Sequence, residues 1–575
     1  MPGSSLNELI RNLLIFILEY HWLYNFQWIG DLFKIKQDSS GCSVSSILEK
    51  LPISWKNVLQ TASLEELQMF VSGSSNLCHW PVDLLNFGNK CRQFTRLLSQ
   101  YILLNPNINS NNHLYGYHFN PTSMCTDLIT SIQVDKIETN YFFKVSEKKS
   151  YELKQMSALI QTIVLSKLNI ESVISSNIVF SLNEDQSCGN FQTVRLINRT
   201  LLENNILKVS NSSIPLIIVD IGSGLGNLSN YIAYRILQNC TNHLFTQFKV
   251  ISIECDERMH LKALKKLNHY NSIYQTKLLS SIVKRMLFRV ESLNLNLLQT
   301  RLHELSSGHD YLLLGLHCCG DLSQSMIELF HKDGTAKYLL LVGCCYHKMT
   351  LEKFPTSVYL RKAMIQCDKS FIEKCISTAT LRLACQHSPL IWLSWTEYDS
   401  NKHRVRLLAR IILDAILFKY NHITDEFEQY KRIDPMIHCD TIKKLLINDI
   451  DDISNQSSPK FDIIYSNLIS FWKEKLSNIL HFREVLYDDE FIFGYYEHFK
   501  LIWNLIPGLL ALQQLFQPLL ETIVLFDRLW CLREYGGDDR ISHDDHSDPY
   551  RYSGYIRIFD PFLSPRCMAL LVHKN

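Results

Sequence analysis

The chain has 575 residues, 46% of them hydrophobic and 20% charged, which are globular values with apolar material for two to four domains. Lys and Arg number 58 against 57 Asp and Glu, a net charge of +1. That excludes the broad basic footprint of a non-specific nucleic-acid binder and leaves an RNA partner only a local patch. The 17 cysteines, scattered through apolar segments, exclude a small disulfide framework and predict reduced thiols in cytoplasm or nucleus.

Residues 1–140 read as a helical N-terminal region, with helical spacing at Leu9–Phe33 and Leu64–Phe70. Met1–Tyr20, carrying Glu8 and Arg11, predicts an amphipathic helix and lacks a signal-peptide layout. Pro52, Pro81 and Asn105–Asn112 mark turns or a loop, and Trp22, Trp55 and Trp80 are expected as core anchors. Residues 141–360 then alternate. A helix led by Ser146–Glu152 and running to Leu168 precedes strands at Leu216–Asp220, Lys249–Glu254, Leu287–Glu291, Tyr311–Leu316 and Tyr338–Gly343. Helices are expected from Asn227 to Gln238, Arg258 to His269 and Ser323 to His331. Such interleaving predicts an α/β, doubly wound, mostly parallel sheet flanked on both faces.

Residues 361–520 read as a mostly helical insertion. Leu501–Leu520 is uncharged over a membrane-spanning length, yet Pro507 and Pro518 favour a buried helical hairpin, so no membrane partner is expected. In residues 521–575 a helix leads to strands Tyr555–Phe559 and Met568–His573, joined by Asp560–Pro565. They would complete the sheet as an antiparallel edge hairpin. The competing arrangement closes the sheet with Leu390–Trp395 and Val405–Leu408 and leaves a separate C-terminal domain.

The chemistry-bearing residues fall at strand ends. Asp220-Ile-Gly222-Ser223-Gly224-Leu-Gly226 follows the first strand and opens a helix. Its G-x-G-x-G spacing is not the dinucleotide fingerprint G-x-G-x-x-G. With an acidic residue two before the first glycine, it is the pattern used by Rossmann-like S-adenosylmethionine-dependent methyltransferases. Backbone freed of Cβ atoms can approach a ligand there, and the helix N-terminus favours an anion. Asp220, Gly222, Ser223, Gly224 and Gly226 are therefore the expected cofactor residues, with Glu254 placed for a ribose diol and Glu291 for an adenine edge. Asn294 and Asn296 compete with Glu291 for that edge.

The fourth and fifth strands end in His317-Cys318-Cys319-Gly320-Asp321 and Cys344-Cys345-Tyr346-His347, two tips expected to converge beside the reacting methyl. His317, Asp321 and His347 are candidate acid–base groups of an acceptor pocket, with His317 also near the cofactor. Cys318, Cys319, Cys344, Cys345 and Tyr346 are expected as its walls. Zinc and a nucleophilic thiol are competing readings. The adjacent Cys-Cys pairs depart from C-x₂-C, so no metal ligand is assigned.

These runs resemble the methyltransferase-like protein 25 family, with its relative named for a ribosomal RNA adenine dimethylase domain. The resemblance extends to Leu51-Pro-Ile-Ser-Trp55, His79-Trp80-Pro81, Lys148-Lys149, Leu383-Ala-Cys-Gln386, Leu525-Phe-Asp-Arg-Leu529, Phe559-Asp-Pro561 and Ser564-Pro-Arg566, and so covers most of the chain. It implies a seven-stranded Rossmann-like fold, S-adenosyl-L-methionine as cofactor and an intracellular methyltransferase. More distantly, the Cys-Gly and Cys-Cys-x-His runs are similar to tRNA 2′-O-methyltransferases. That kinship makes RNA the favoured acceptor and protein the next. Leu225 stands where these relatives carry Lys or Arg. The alternative is a non-catalytic scaffold that binds S-adenosylmethionine.

Overall fold

Seven strands share one mixed sheet: β1 (Leu216–Ile221), β2 (Phe248–Glu254), β3 (Val283–Leu287), β4 (Tyr311–Cys318), β5 (Ala336–Gly343), β6 (Tyr550–Arg557) and β7 (Met568–Lys574). Their order is β3-β2-β1-β4-β5-β7-β6. The computed structural model describes residues 6–25, 35–38, 41–44, 50–74, 77–103, 145–165, 216–239, 248–273, 278–386, 388–421, 461–476, 494–535 and 550–574. β1 to β5 pair in parallel, and β7 enters antiparallel between β5 and β6. The central strands are continuous apolar runs: Ile217–Val219, Ile251 and Leu312–Leu314 are buried, as a sheet covered on both faces requires. The fold is thus α/β and Rossmann-like.

The helices that position the site are α1 (Glu147–Leu165), α2 (Asn227–Asn239), α3 (Glu257–Ile273), α4 (Leu295–Ser306), α5 (Leu322–Lys332), α6 (Thr378–Ala384) and α7 (Tyr496–Tyr535). The chain runs outward from β1 to β3 and returns to β4 beside β1. The switch point, where open sheets of this kind bind ligands, therefore lies between the carboxyl ends of β1 and β4.

The third strand is Val283–Leu287, not Leu287–Glu291. Its register pairs Val250 with Val283 and Glu254 with Leu287, so β2 is used up where the expected strand would have begun. β6 ends at Arg557 because the N–H groups of Ile558 and Phe559 turn back to Cys567 O. Leu390–Trp395 and Val405–Leu408 are not strands: Pro389–Leu393 and Glu397–Asn421 are helices. The expected hairpin at Leu501–Leu520 is one continuous helix, α7, running through both Pro507 and Pro518. A proline inside a helix costs about 3 kcal/mol. Against this, α7 buries Leu505, Ile506, Leu509, Leu512, Leu515, Phe516 and Leu519, each worth roughly 1.5–3 kcal/mol. Among the described residues α7 is the one helix long and apolar enough to cross a membrane, and its most apolar stretch is wholly buried.

Two compact units result. One comprises residues 1–15, 94–390 and 518–575 and contains the whole seven-stranded sheet. The other comprises residues 16–93 and 391–517, so these boundaries differ from 140, 360 and 520. An aromatic cluster joins the second unit's distant segments: Phe516 lies 5.9 Å from Phe16, 4.9 Å from Tyr24 and 5.4 Å from Phe87. Trp55 and Trp80 are core anchors there, whereas Trp22 is half-exposed.

Candidate active site

The turn after β1 holds Gly222, Gly224 and Gly226 at φ +70°, +55° and +69°, the left-handed region that favours glycine. A Cβ on Gly226 would overlap Arg285 Nη1, whereas the nearest atom to one on Gly224 is Met259 Cε at 3.9 Å. The turn is thus closed on the Arg285 side and open above Gly224. Arg285 reaches from β3 to donate to Gly224 O (3.0 Å), Ser223 Oγ (3.3 Å) and Ser252 Oγ (2.9 Å). A buried polar chain continues from Ser252 Oγ to Ser229 Oγ (3.0 Å) and on to Asp220 Oδ2 (2.5 Å). Burial pushes the Asp220 carboxyl up to about 6, against the Ser229 hydrogen bond and the Arg285 charge. Asp220 thus supports the turn from beneath.

Glu254 ends β2 with its Oε2 accepting from Gly224 N (2.7 Å) and its Oε1 from Cys255 N and Asp256 N (2.9 Å each). A carboxylate has about four acceptor sites. Three are engaged, and Oε2 retains one. Beside Gly226, the buried Asn230 amide has neither Oδ1 nor Nδ2 engaged, and Arg285 Nε is likewise without a partner. Such buried orphans cost roughly 1–3 kcal/mol each until a water or polar ligand atom meets them. Glu291 stands four residues beyond β3 on an exposed loop, 3.7 Å from Arg289.

β4 changes at its tip. Leu316 pairs with Val342 but Cys318 with Gly343, so His317 is an extra residue in a bulge, at φ +64°. Its Nε2 meets Glu152 Oε2 of α1 at 2.8 Å. Glu152 is 1% exposed and also accepts from Ser564 Oγ (2.9 Å), with Lys149 Nζ at 3.6 Å. Burial pushes its carboxyl up, but the hydrogen bonds and the His317 and Lys149 charges prevail and hold it below its ordinary value. An ionised carboxylate only accepts, so Nε2 carries a hydrogen, and in the neutral form of the ring the lone pair lies on Nδ1.

The β4 and β5 tips are fastened together. Gly320 N donates to Cys345 O (3.2 Å), and a Cβ on Gly320 would meet Lys348 O at 2.6 Å. Asp321 accepts from Thr350 N (2.8 Å) and Oγ1 (2.5 Å), with Lys353 at 3.6 Å. Both of its oxygens are therefore engaged in the clamp. Cys319 Sγ lies 3.1 Å from Cys344 Sγ, which is 3.7 Å from Cys345 Sγ. Hydrogen bonding from the Cys344 thiol lowers the Cys319 pKa, and the same sharing raises that of Cys344. Cys318 turns into the core against Met326 Sδ (3.3 Å), and Tyr346 is buried under the Arg528 guanidinium (4.8 Å). His347 Nδ1 meets Cys385 Sγ at 3.2 Å, just beyond α6. Burial, with the Arg382 and Lys348 charges, lowers the His347 pKa below its usual value.

With this geometry in place, residues 192–352 match the protein family described as a methyltransferase domain. That segment is similar to a methyltransferase domain. The chain is 26% identical over 293 residues to the mouse protein called probable methyltransferase-like protein 25, covering 48% of this chain and 40% of that one. The human protein of that name is 26% identical over 279 residues, covering 46% and 37%. The resemblance to that family stands on these matches, which span about two fifths of each relative's length. No solved structure matches.

The candidate site draws on residues that the motifs did not disclose. Arg285 puts a cation at the glycine turn from β3, reaching past β2, although Leu225 replaces the expected base within it. A charged pair, Lys284-Arg285, inside a strand was the available signal. Glu152 and Ser564 lie 165 and 412 residues from their partners and leave no spacing pattern.

Proposed function

We propose that this chain is an S-adenosylmethionine-dependent methyltransferase whose acceptor is RNA. One observation carries the reading: an open glycine turn and a carboxylate with a spare acceptor site lie at the carboxyl ends of β1 and β2, beside the switch point. The residues fit the cofactor. Gly224 leaves room for close backbone approach, Glu254 Oε2 can accept a ribose hydroxyl, and the unpartnered Asn230 amide offers a donor and an acceptor beside Gly226. When bound, S-adenosylmethionine supplies a methyl group already activated on its sulfonium.

The protein's own task is then positioning and proton management. Holding the acceptor in line at roughly 3–3.5 Å supplies much of the acceleration. Glu152 fixes the His317 ring, so Nδ1 can take a proton from an acceptor hydroxyl or ammonium group. Asp321 acts by clamping the tips through Thr350, and His347 lies on the second tip.

Cations gathered on these segments support an RNA acceptor: Lys148, Lys149, Lys348, Lys353 and Arg382, with Lys148 and Lys353 more than half exposed. On this reading they are the local positive charge that a phosphate backbone would meet. The scattered cysteines of the sequence suit a reducing cytoplasm or nucleus, which is where we place the reaction.

The test incubates full-length protein with methyl-labelled S-adenosylmethionine and total RNA or total protein. Label in RNA, lost in Gly224→Asp together with donor binding by calorimetry, is the expected result. Label only in protein overturns the acceptor, and donor binding without transfer to either supports the scaffold instead.

A further inference from the structure

We propose that Cys319, Cys344 and Cys345 form a three-thiolate site for a single zinc ion bridging the β4 and β5 tips. The three Sγ atoms lie within 4.8 Å of one another, with 3.1 Å between Cys319 and Cys344 and 3.7 Å between Cys344 and Cys345. A tetrahedral zinc with Zn–S bonds of about 2.3 Å sets its sulfurs roughly 3.8 Å apart. Small adjustments bring these thiols to that spacing.

Convergence of this kind is not ordinary thiol packing. Cys318, one residue away, shows the ordinary case: buried, against Met326 Sδ and the Ile221 carbonyl. Cys319, Cys344 and Cys345 instead face one another, and Cys319 and Cys345 remain half-exposed, which gives an ion a way in. The scaffold is rigid as well. Gly320 N binds Cys345 O, Gly320 has no space for a Cβ against Lys348 O, and both Asp321 oxygens hold Thr350. Sheet register and clamp together set the thiol positions, so little chain entropy remains to be lost on coordination.

Thiolates suit zinc. The Cys-x₂-Cys spacing of common zinc modules comes from both ligands of a pair lying on one turn of chain. Here the ligands come from two neighbouring strand ends, and adjacent residues supply two of them. Three protein ligands leave a fourth position for solvent or an acceptor atom. An ion that binds the folded chain alone stabilises it by mass action.

The test measures metal, not methyl transfer, so its outcome is independent of the proposed activity. Full-length protein purified after growth with zinc is assayed by elemental mass spectrometry, then stripped and refilled with cobalt(II). A single zinc ion per chain is expected, with a thiolate-to-cobalt charge-transfer band in the near ultraviolet. Both should be lost in Cys319→Ser and Cys345→Ser and kept in Cys367→Ser. Should the serine variants misfold, alkylation of the wild type decides: zinc must shield Cys319 and Cys345 from iodoacetamide in peptide maps. Absence of the band, its persistence in the triple serine variant, absence of zinc shielding, or a Cys319–Cys344 disulfide in metal-free purified protein overturns the proposal.

Discussion

Gly224 and Gly226 sit two residues apart in one turn and answer to different constraints. Gly226 is closed by Arg285, so Gly226→Ala should lower unfolding free energy by about 1–3 kcal/mol in urea melts and weaken donor binding. Gly224→Ala meets only Met259 Cε at 3.9 Å, and its stability loss should be the smaller of the two. Asp220 adds a pH dependence. Its carboxyl titrates near 3.8 when unfolded and near 6 when folded, so burial destabilises the ionised protein in full above about 6. That penalty fades as pH falls and is gone below about 3.8, a swing on the order of 3 kcal/mol. Asp220→Asn retains an acceptor for Ser229 and is always neutral. It should melt above wild type at pH 7.5, with the gap narrowing toward pH 4.5, and a gap that does not change with pH contradicts the assignment.

The β4 tip is an element built around strain. A non-glycine residue in the left-handed region costs roughly 1–2 kcal/mol, and His317 bears that cost while its ring is held by Glu152. His317→Gly and His317→Ala both remove the imidazole, but only glycine relieves the backbone. The glycine variant should therefore be the more stable by about 1 kcal/mol in urea melts. Neither variant should transfer methyl groups at the wild-type rate. Little of this element was legible in the sequence. The apolar runs at β1, β2, β4 and β5 announced themselves because strand patterning is local. β3 did not, because Lys284 and Arg285 interrupt its apolar run, and the reading slid to Leu287–Glu291. The Glu152–His317–Ser564 linkage joins three segments that only the folded sheet brings together, and a bulge at a histidine has no composition signature. α7 misled for another reason: burial along its length outweighs two prolines that would break an exposed helix.

For the seven-stranded sheet as a whole, β7 is internal, with β5 on one side and β6 on the other. Ending the chain after residue 549 should therefore leave no cooperative unfolding transition by circular dichroism, since it exposes the apolar edge of β5. The same arrangement has a consequence for synthesis. About 225 residues separate Gly343 from Met568, roughly 10–45 s of ribosome travel. Through that interval the nascent chain presents an unfinished, sticky border at Tyr338–Leu341, and chaperones have their best opportunity to act there.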